Sequence, residues 1–125
     1  MNTKVSVIAN PDRWSYAAAA SGILNTPTAV TIKAAPADAL MRNYVTDVQI
    51  MAEALGTATE VAIRDGAGGT VLWRTKVATT GLAQGLSINF QQPLQGSRGN
   101  LLEVVTLSAS TTGAVYFNAQ GYVAP

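Results

Sequence analysis

Apolar and polar residues alternate with a period of two along most of this chain, in short runs broken by Gly, Pro, Asn and Ser. That period puts successive side chains on opposite sides of an extended backbone, so each run predicts a half-buried strand. Thr28, Val30, Ile32 and Ala34 point one way, and Ala29, Thr31 and Lys33 the other. Residues 36–42 read as a connector with one helical turn at 38–41. Tyr44, Thr46, Val48 and Ile50 then share a face, with Asp47 and Gln49 opposite. After a loop at 56–59, Val61 and Ile63 point inward between Glu60 and Arg64. Asp65-Gly66-Ala67-Gly68-Gly69 is a hairpin signal, because glycine takes positive φ without strain. The return run sets Val71 and Trp73 against Leu72 and Arg74.

A loop is expected at 79–85. Leu86, Ile88 and Phe90 then alternate with Ser87, Asn89 and Gln91, and Pro93 is expected to end that strand. Beyond a turn at 95–100, Leu102, Val104 and Thr106 alternate with Glu103 and Val105. After a turn at 108–113, Val115 and Phe117 alternate with Tyr116 and Asn118, in a run that extends toward Val123. The total is seven or eight strands and no useful helical stripe. This pattern predicts an all-β fold, a jelly-roll-like antiparallel β-sandwich. The missing Cys–Trp–Cys framework argues against an immunoglobulin-like domain.

The beginning of the chain departs from this rhythm. Residues 1–13 hold no sustained period and contain Pro11, and they read as an extended N-terminal arm. Residues 14–125 form a single β-sandwich domain on this reading. Within 14–23, four alanines favour helix, while the aromatics, Gly22 and Ile23 favour extended chain; extended is the expectation.

Composition sharpens the picture. Charged residues make up 12% of the 125-residue chain, against roughly 25% in average soluble domains. The surface must therefore be covered by Thr, Ser, Asn, Gln, Ala and Gly, which favours contact with other protein. With no Cys and no His, thiolate chemistry, disulfides and imidazole ligands are excluded together. The net charge of +1 comes with scattered Lys and Arg, which gives no basic stripe for nucleic acid. No secretory signal or membrane-length apolar run is visible, so a soluble chain made in the cytoplasm is expected.

Candidate chemistry is sparse. The Gly66–Gly69 loop leads into a strand and lacks a P-loop lysine, so it is a turn rather than a phosphate cradle. Asp47, Glu53, Glu60, Asp65 and Glu103 sit at outward or loop positions and read as solvated groups with occasional cross-strand pairs to Arg or Lys, not as a glycosidase pair or a calcium loop. A Ser–Lys dyad would have to use Lys4, Lys33 or Lys76, and no Ser-x-x-Lys spacing exists. No enzyme activity and no cofactor or metal is expected. Trp14 and Tyr16, where the arm joins the body, serve either as a plug over the sandwich or as anchors in a neighbour. Arg42, Arg64, Arg74 and Arg98 are candidates for forked hydrogen bonds to partner carboxylates.

Five phrases resemble a known family: Trp14-Ser-Tyr-Ala-Ala-Ala-Ala-Ser-Gly-Ile23, Ala29-Val-Thr-Ile-Lys-Ala-Ala35, Arg42-Asn-Tyr-Val-Thr-Asp-Val-Gln-Ile50, the run from Thr59 to Arg74, and Tyr116-Phe-Asn-Ala-Gln-Gly-Tyr-Val-Ala124. They are similar to small tailed-phage virion proteins of the jelly-roll capsid cement, or decoration, type. The resemblance implies a structural protein on the capsid exterior that clamps adjacent major capsid subunits. Its expected partners are the major capsid protein and neighbouring copies of itself, as a homodimer or homotrimer, with no nucleic acid and no membrane. The alternative expectation is a receptor- or glycan-binding module of a phage tail fibre or spike.

Overall fold

The computed structural model describes residues 12–23, 29–108 and 112–125. Eight strands run through them: β1 (Asp12–Tyr16), β2 (Ala29–Lys33), β3 (Arg42–Ala52), β4 (Thr59–Asp65), β5 (Thr70–Val77), β6 (Leu82–Gln95), β7 (Leu102–Thr106) and β8 (Val115–Ala124). Most of the expected arm, and Thr28 of the expected second strand, lie outside the described residues; Asp12 and Arg13 already belong to β1.

The pairing is nested. β4 pairs with β5 around the glycine turn, β3 with β6, β2 with β7 and β1 with β8, all antiparallel. This is one long two-stranded ribbon with its tip at residues 66–69. At the tip, Gly66 and Gly68 have φ of 87° and 67°, the left-handed region that glycine enters without a Cβ clash. The ribbon then rolls up, and two new seams form: β3 against β8 and β4 against β7. The products are two four-stranded sheets, β1-β8-β3-β6 and β2-β7-β4-β5. That wrapped ribbon is a jelly-roll β-sandwich, as the strand pattern predicts.

The core lies between the sheets. Val48, Ile50, Val115, Phe117 and Ala119 face Ile32, Val61, Ile63, Leu102 and Val104. Gly121 belongs to the same inner row. A Cβ there would sit 1.8 Å from the Tyr44 carbonyl oxygen and 2.5 Å from the Trp14 ring. Only a residue without a side chain lets Trp14 lie across β8 at this point.

Strands β3, β5 and β6 depart from the pattern expected of them. On β3 the register with both neighbours shifts between Val45 and Asp47. Asn43 and Val45 are buried before the shift, and Val48, Ile50 and Ala52 after it. Tyr44 and Thr46, expected beside Val48 and Ile50, therefore lie on the outer face. Thr46 fills the bulged position, and its hydroxyl lies 3.1 Å from the Gln120 carbonyl oxygen. On β5, Leu72 and Trp73 both pack on the core, although alternation puts them on opposite faces. The cause is a second shift, between Ile63 and Arg64 of its partner.

β6 is the third. It begins at Leu82 and runs through Pro93, so the expected loop at 79–85 is shorter and Pro93 does not end the strand. β6 is the edge of its sheet, where a missing N–H leaves no ladder bond broken. Between Asn89 and Leu94 it also leaves β3. Phe90, within that stretch, meets Trp73 of β5 edge-on with ring centroids 5.9 Å apart. This contact joins the two sheets at their shared side. The expected helical turn at 38–41 is a tight turn, with the Met41 N–H donating to the Asp38 carbonyl.

Asn43 ties two loops to the sandwich. It is fully buried, and its Nδ2 donates to the carbonyls of Ala34 (3.0 Å) and Asn100 (3.2 Å). Its Oδ1 has no hydrogen-bond partner. Asn43→Ala leaves both carbonyls without their donor, and a loss of about 2 kcal/mol in urea denaturation is expected. Asn43→Asp is expected to cost more at pH 7, because a carboxylate would face two acceptors, and the gap should close as acid protonates it. Equal stabilities for the two variants at pH 7 would contradict this role.

Candidate functional site

The two outer faces differ in chemistry. The outside of β2-β7-β4-β5 carries Glu60 and Arg64 on β4, Arg74 and Lys76 on β5, and Glu103 on β7. Glu60 lies opposite Lys76 and accepts a hydrogen bond from Arg74 at 2.8 Å. Glu103 Oε2 accepts from Arg64 Nε at 2.6 Å and from the Gly68 N–H at 3.0 Å. Glu103, expected to be solvated, is buried. β7 is a central strand, and Arg64 and the hairpin tip lie over it, so the ion pair also pins the β4–β5 turn to the sheet.

The outside of β1-β8-β3-β6 is nearly free of charge. Its charged groups among the described strand positions are Arg13, Asp47 and, at the end of β3, Arg42, which donates to the Gly96 carbonyl. Arg13 lies opposite Tyr122, and Tyr122 opposite Tyr44. The two tyrosine rings stack, with centroids 4.8 Å apart and planes 14° from parallel. In the next rows Gln49 and Gln120 exchange two amide hydrogen bonds, at 3.0 and 3.1 Å. Asp47 Oδ1 accepts from Asn89 Nδ2 at 2.6 Å, and Oδ2 lies 2.9 Å from the Thr46 hydroxyl. At the far end Tyr116 pairs with Met51, which is 49% exposed. The face is therefore an amide centre between two apolar and aromatic ends. Its polar groups already bond one another, which lowers the desolvation cost of covering them.

At one end of the sandwich the hairpin tip meets the β6–β7 loop. Asp65 accepts from the Ser97 N–H (2.9 Å), the Ser97 hydroxyl (2.6 Å) and Asn100 Nδ2 (3.2 Å). Partial burial pushes the Asp65 carboxyl up, but the Ser97 and Asn100 hydrogen bonds and the nearby Arg42 guanidinium outweigh it. The carboxyl is held below its usual range. The cluster is a loop clamp, since each of its polar contacts is internal.

The residues singled out in the sequence do not converge. Trp14 and Tyr16 are half-buried on β1 and pack on the core, with Trp14 Nε1 donating to the Tyr122 carbonyl at 3.3 Å. Arg42 donates to the Gly96 carbonyl at 3.1 Å. Arg64 and Arg74 bind Glu103 and Glu60 within their own sheet. Arg98 is exposed in the turn between β6 and β7. No group of three or more His, Cys, Asp or Glu side chains among the described residues is placed to hold a metal ion. Sequence reasoning missed Tyr44, Gln49, Asn118, Gln120 and Tyr122 as one surface. Tyr116-x-Asn118-x-Gln120-x-Tyr122, out of phase with buried Phe117, Ala119 and Gly121, was the available signal.

Comparison with known proteins defines the architecture. No protein-family model matches the chain. No curated protein matches it. Among solved structures, a chain of the cyanophage Pam1 capsid asymmetric unit matches at a TM-score of 0.50 with 17% identity, over 90% of this chain and 83% of that one. The Tobacco streak virus coat protein dimer matches at 0.42 with 15% identity, over 91% and 87% of the two chains. Infectious bursal disease virus, Gx strain, matches at 0.36 with 16% identity, over 91% of this chain and 28% of that one. The Pam1 likeness shows a shared fold: this chain is an all-β jelly roll of a form also found in a phage capsid.

Two substitutions test the electrostatics. Arg64→Ala strands a buried carboxylate and should cost about 3 kcal/mol, whereas Arg74→Ala, at an exposed pair, should cost about 0.5 kcal/mol or less. Equal losses in chemical denaturation would contradict the assignment. Asp65 has a depressed folded pKa, so its contribution is present above the unfolded carboxyl pKa of about 3.9 and is lost as pH falls through the lower folded value. Asp65→Asn should lower the Tm at pH 7 and flatten the fall of Tm below about pH 4. An unchanged acid limb in the variant would contradict the clamp.

Proposed function

We propose that this chain is a structural virion protein, a capsid cement or decoration protein that binds the outside of a phage head and clamps adjacent major capsid subunits. The observation that carries the reading is the division of its surface. One sheet face holds two ion pairs, the buried Arg64–Glu103 and the exposed Arg74–Glu60, while the other is a field of tyrosines and amides with few charges on a jelly roll. Such a face is suited to contact with protein, whether a shell subunit or a second copy of this chain. The jelly-roll likeness to a chain of a phage capsid supports the same reading at the level of fold.

Binding to the assembled shell stabilises that state by mass action, because the bound lattice resists expansion and rupture by the added binding free energy. The low charge matters here, since an unpaired ion buried in the contact would be costly. A second reading, a glycan-binding module of a tail fibre or spike, is favoured by one feature. A groove of about 530 Å³ on the uncharged face is lined by Arg13, Trp14, Thr46, Asp47, Gln120 and Tyr122, a size that suits a small ligand.

Heads purified without this protein are the test. They should bind added chain in stoichiometric amounts and then withstand higher temperature before releasing DNA. Heads that neither bind the chain nor gain heat resistance would overturn the cement reading. Saccharide binding that Tyr122→Ala abolishes, together with tail-tip labelling in the virion, would replace it with the second.

A further inference from the structure

The uncharged face has an internal symmetry that identifies its occupant. Along β8 the outward residues are Tyr122, Gln120, Asn118 and Tyr116; along β3 they are Tyr44, Asp47, Gln49 and Met51. Each series is apolar or aromatic at both ends and polar in the middle, so it reads nearly the same in either direction. We propose that the outer face of β1-β8-β3-β6 binds the same face of a second copy, across a two-fold axis that crosses the strands between Gln120 and Asn118.

That operation places Tyr122 over the partner's Tyr116, Tyr44 over the partner's Met51, and Gln120 over the partner's Asn118. Aromatic ends meet aromatic or thioether ends, and amide meets amide. Amides both donate and accept, so identical amide surfaces complement each other. The outer face of β2-β7-β4-β5 is less suited, since Glu60, Arg64, Arg74, Lys76 and Glu103 would each need an opposite charge in the copy, whereas the proposed face carries Arg13, Arg42 and Asp47, of which Asp47 already accepts from Asn89 and Arg42 donates to the Gly96 carbonyl. Tyrosine and methionine are enriched where contacts are strongest, and an isologous contact requires a self-complementary patch.

The area is sufficient. Ten residues of β8 at about 3.3 Å each, across a four-stranded sheet with strands about 4.8 Å apart, give roughly 600 Å² per copy. The pair would bury about 1,200 Å², the lower bound for specific interfaces. The edges of the sheet do not offer a competing mode of pairing. β6 breaks from β3 on both sides of its 86–89 segment, and such interruptions spoil an edge as a template. β1 has only five residues.

Sedimentation equilibrium of the full chain between about 5 and 100 μM tests the proposal. The expected particle has twice the 12.9 kDa mass of one chain. Met51→Lys, at an outward side chain that is 49% exposed, should shift it to monomer while leaving the thermal melt of the monomeric fold intact, whereas Asn118→Lys would also cost the hydrogen bond that Asn118 Oδ1 accepts from the Ala18 N–H at 2.8 Å. Lys76→Glu, on the opposite sheet, should leave the dimer unchanged. A wild-type monomer or trimer at 100 μM, or a dimer that Met51→Lys does not weaken at least tenfold, would overturn the proposal. This experiment needs no capsid, so its failure and failure of the cement reading are separately visible.

Discussion

The β3–β8 seam is the constraint on which everything else rests. It joins Arg42 to Ala124 at one end and Ala52 to Val115 at the other. Before it forms, the chain is a long ribbon with apolar residues exposed on one side. Closing the seam brings Val48 and Ile50 beside Phe117 and Ala119 on the inner surface. The same register brings Tyr44 beside Tyr122, Asp47 beside Gln120 and Gln49 beside Asn118 on the outer one. Core and contact surface are therefore two sides of a single pairing, and slipping it by one residue would exchange them. Gly121 is the most constrained point of the seam, because β3, β8 and Trp14 converge where a Cβ would stand.

The few charges this chain has are used in two ways. Most are placed where they hold loops or strands together. Glu103 and Arg64 fix the hairpin tip, and Asp65 fixes the β6–β7 loop. On the other sheet, Asp47 is enclosed by Asn89 and Thr46 and adds little free charge to the surface. The result is a molecule with one face that favours water and one that loses little by being covered. A jelly roll suits this division, because each sheet presents one inner and one outer surface and the ends carry the loops.

Much of this was legible in the sequence. The strand runs, the glycine hairpin and the all-β architecture follow from alternation and turn chemistry. What alternation cannot give is a change of phase inside a strand. The bulge at Thr46 reverses the expected orientation of Tyr44, and with it the recognition that Tyr44 and Tyr122 form one outer cluster. Pro93 misled for a related reason: proline ends a central strand but not an edge, and edge status depends on pairing between distant segments. Glu103 looked like a solvated outward residue because a two-residue period cannot say that Arg64 and Gly68 will cover it. Trp14 and Tyr16 stood out as aromatics near the start of the chain, whereas the cross-strand partner Gly121 lies at its far end.

The most direct measurement is a reconstruction of the intact virion at side-chain resolution. The expected result is this chain on the outside of the head, with Tyr44, Gln49, Asn118 and Tyr122 covered by protein and Glu60, Arg74 and Lys76 facing solvent. A reconstruction with the charged sheet against its neighbours and the tyrosine–amide face open to water, or with no copies on the head, would contradict the claim that this face exists for adhesion.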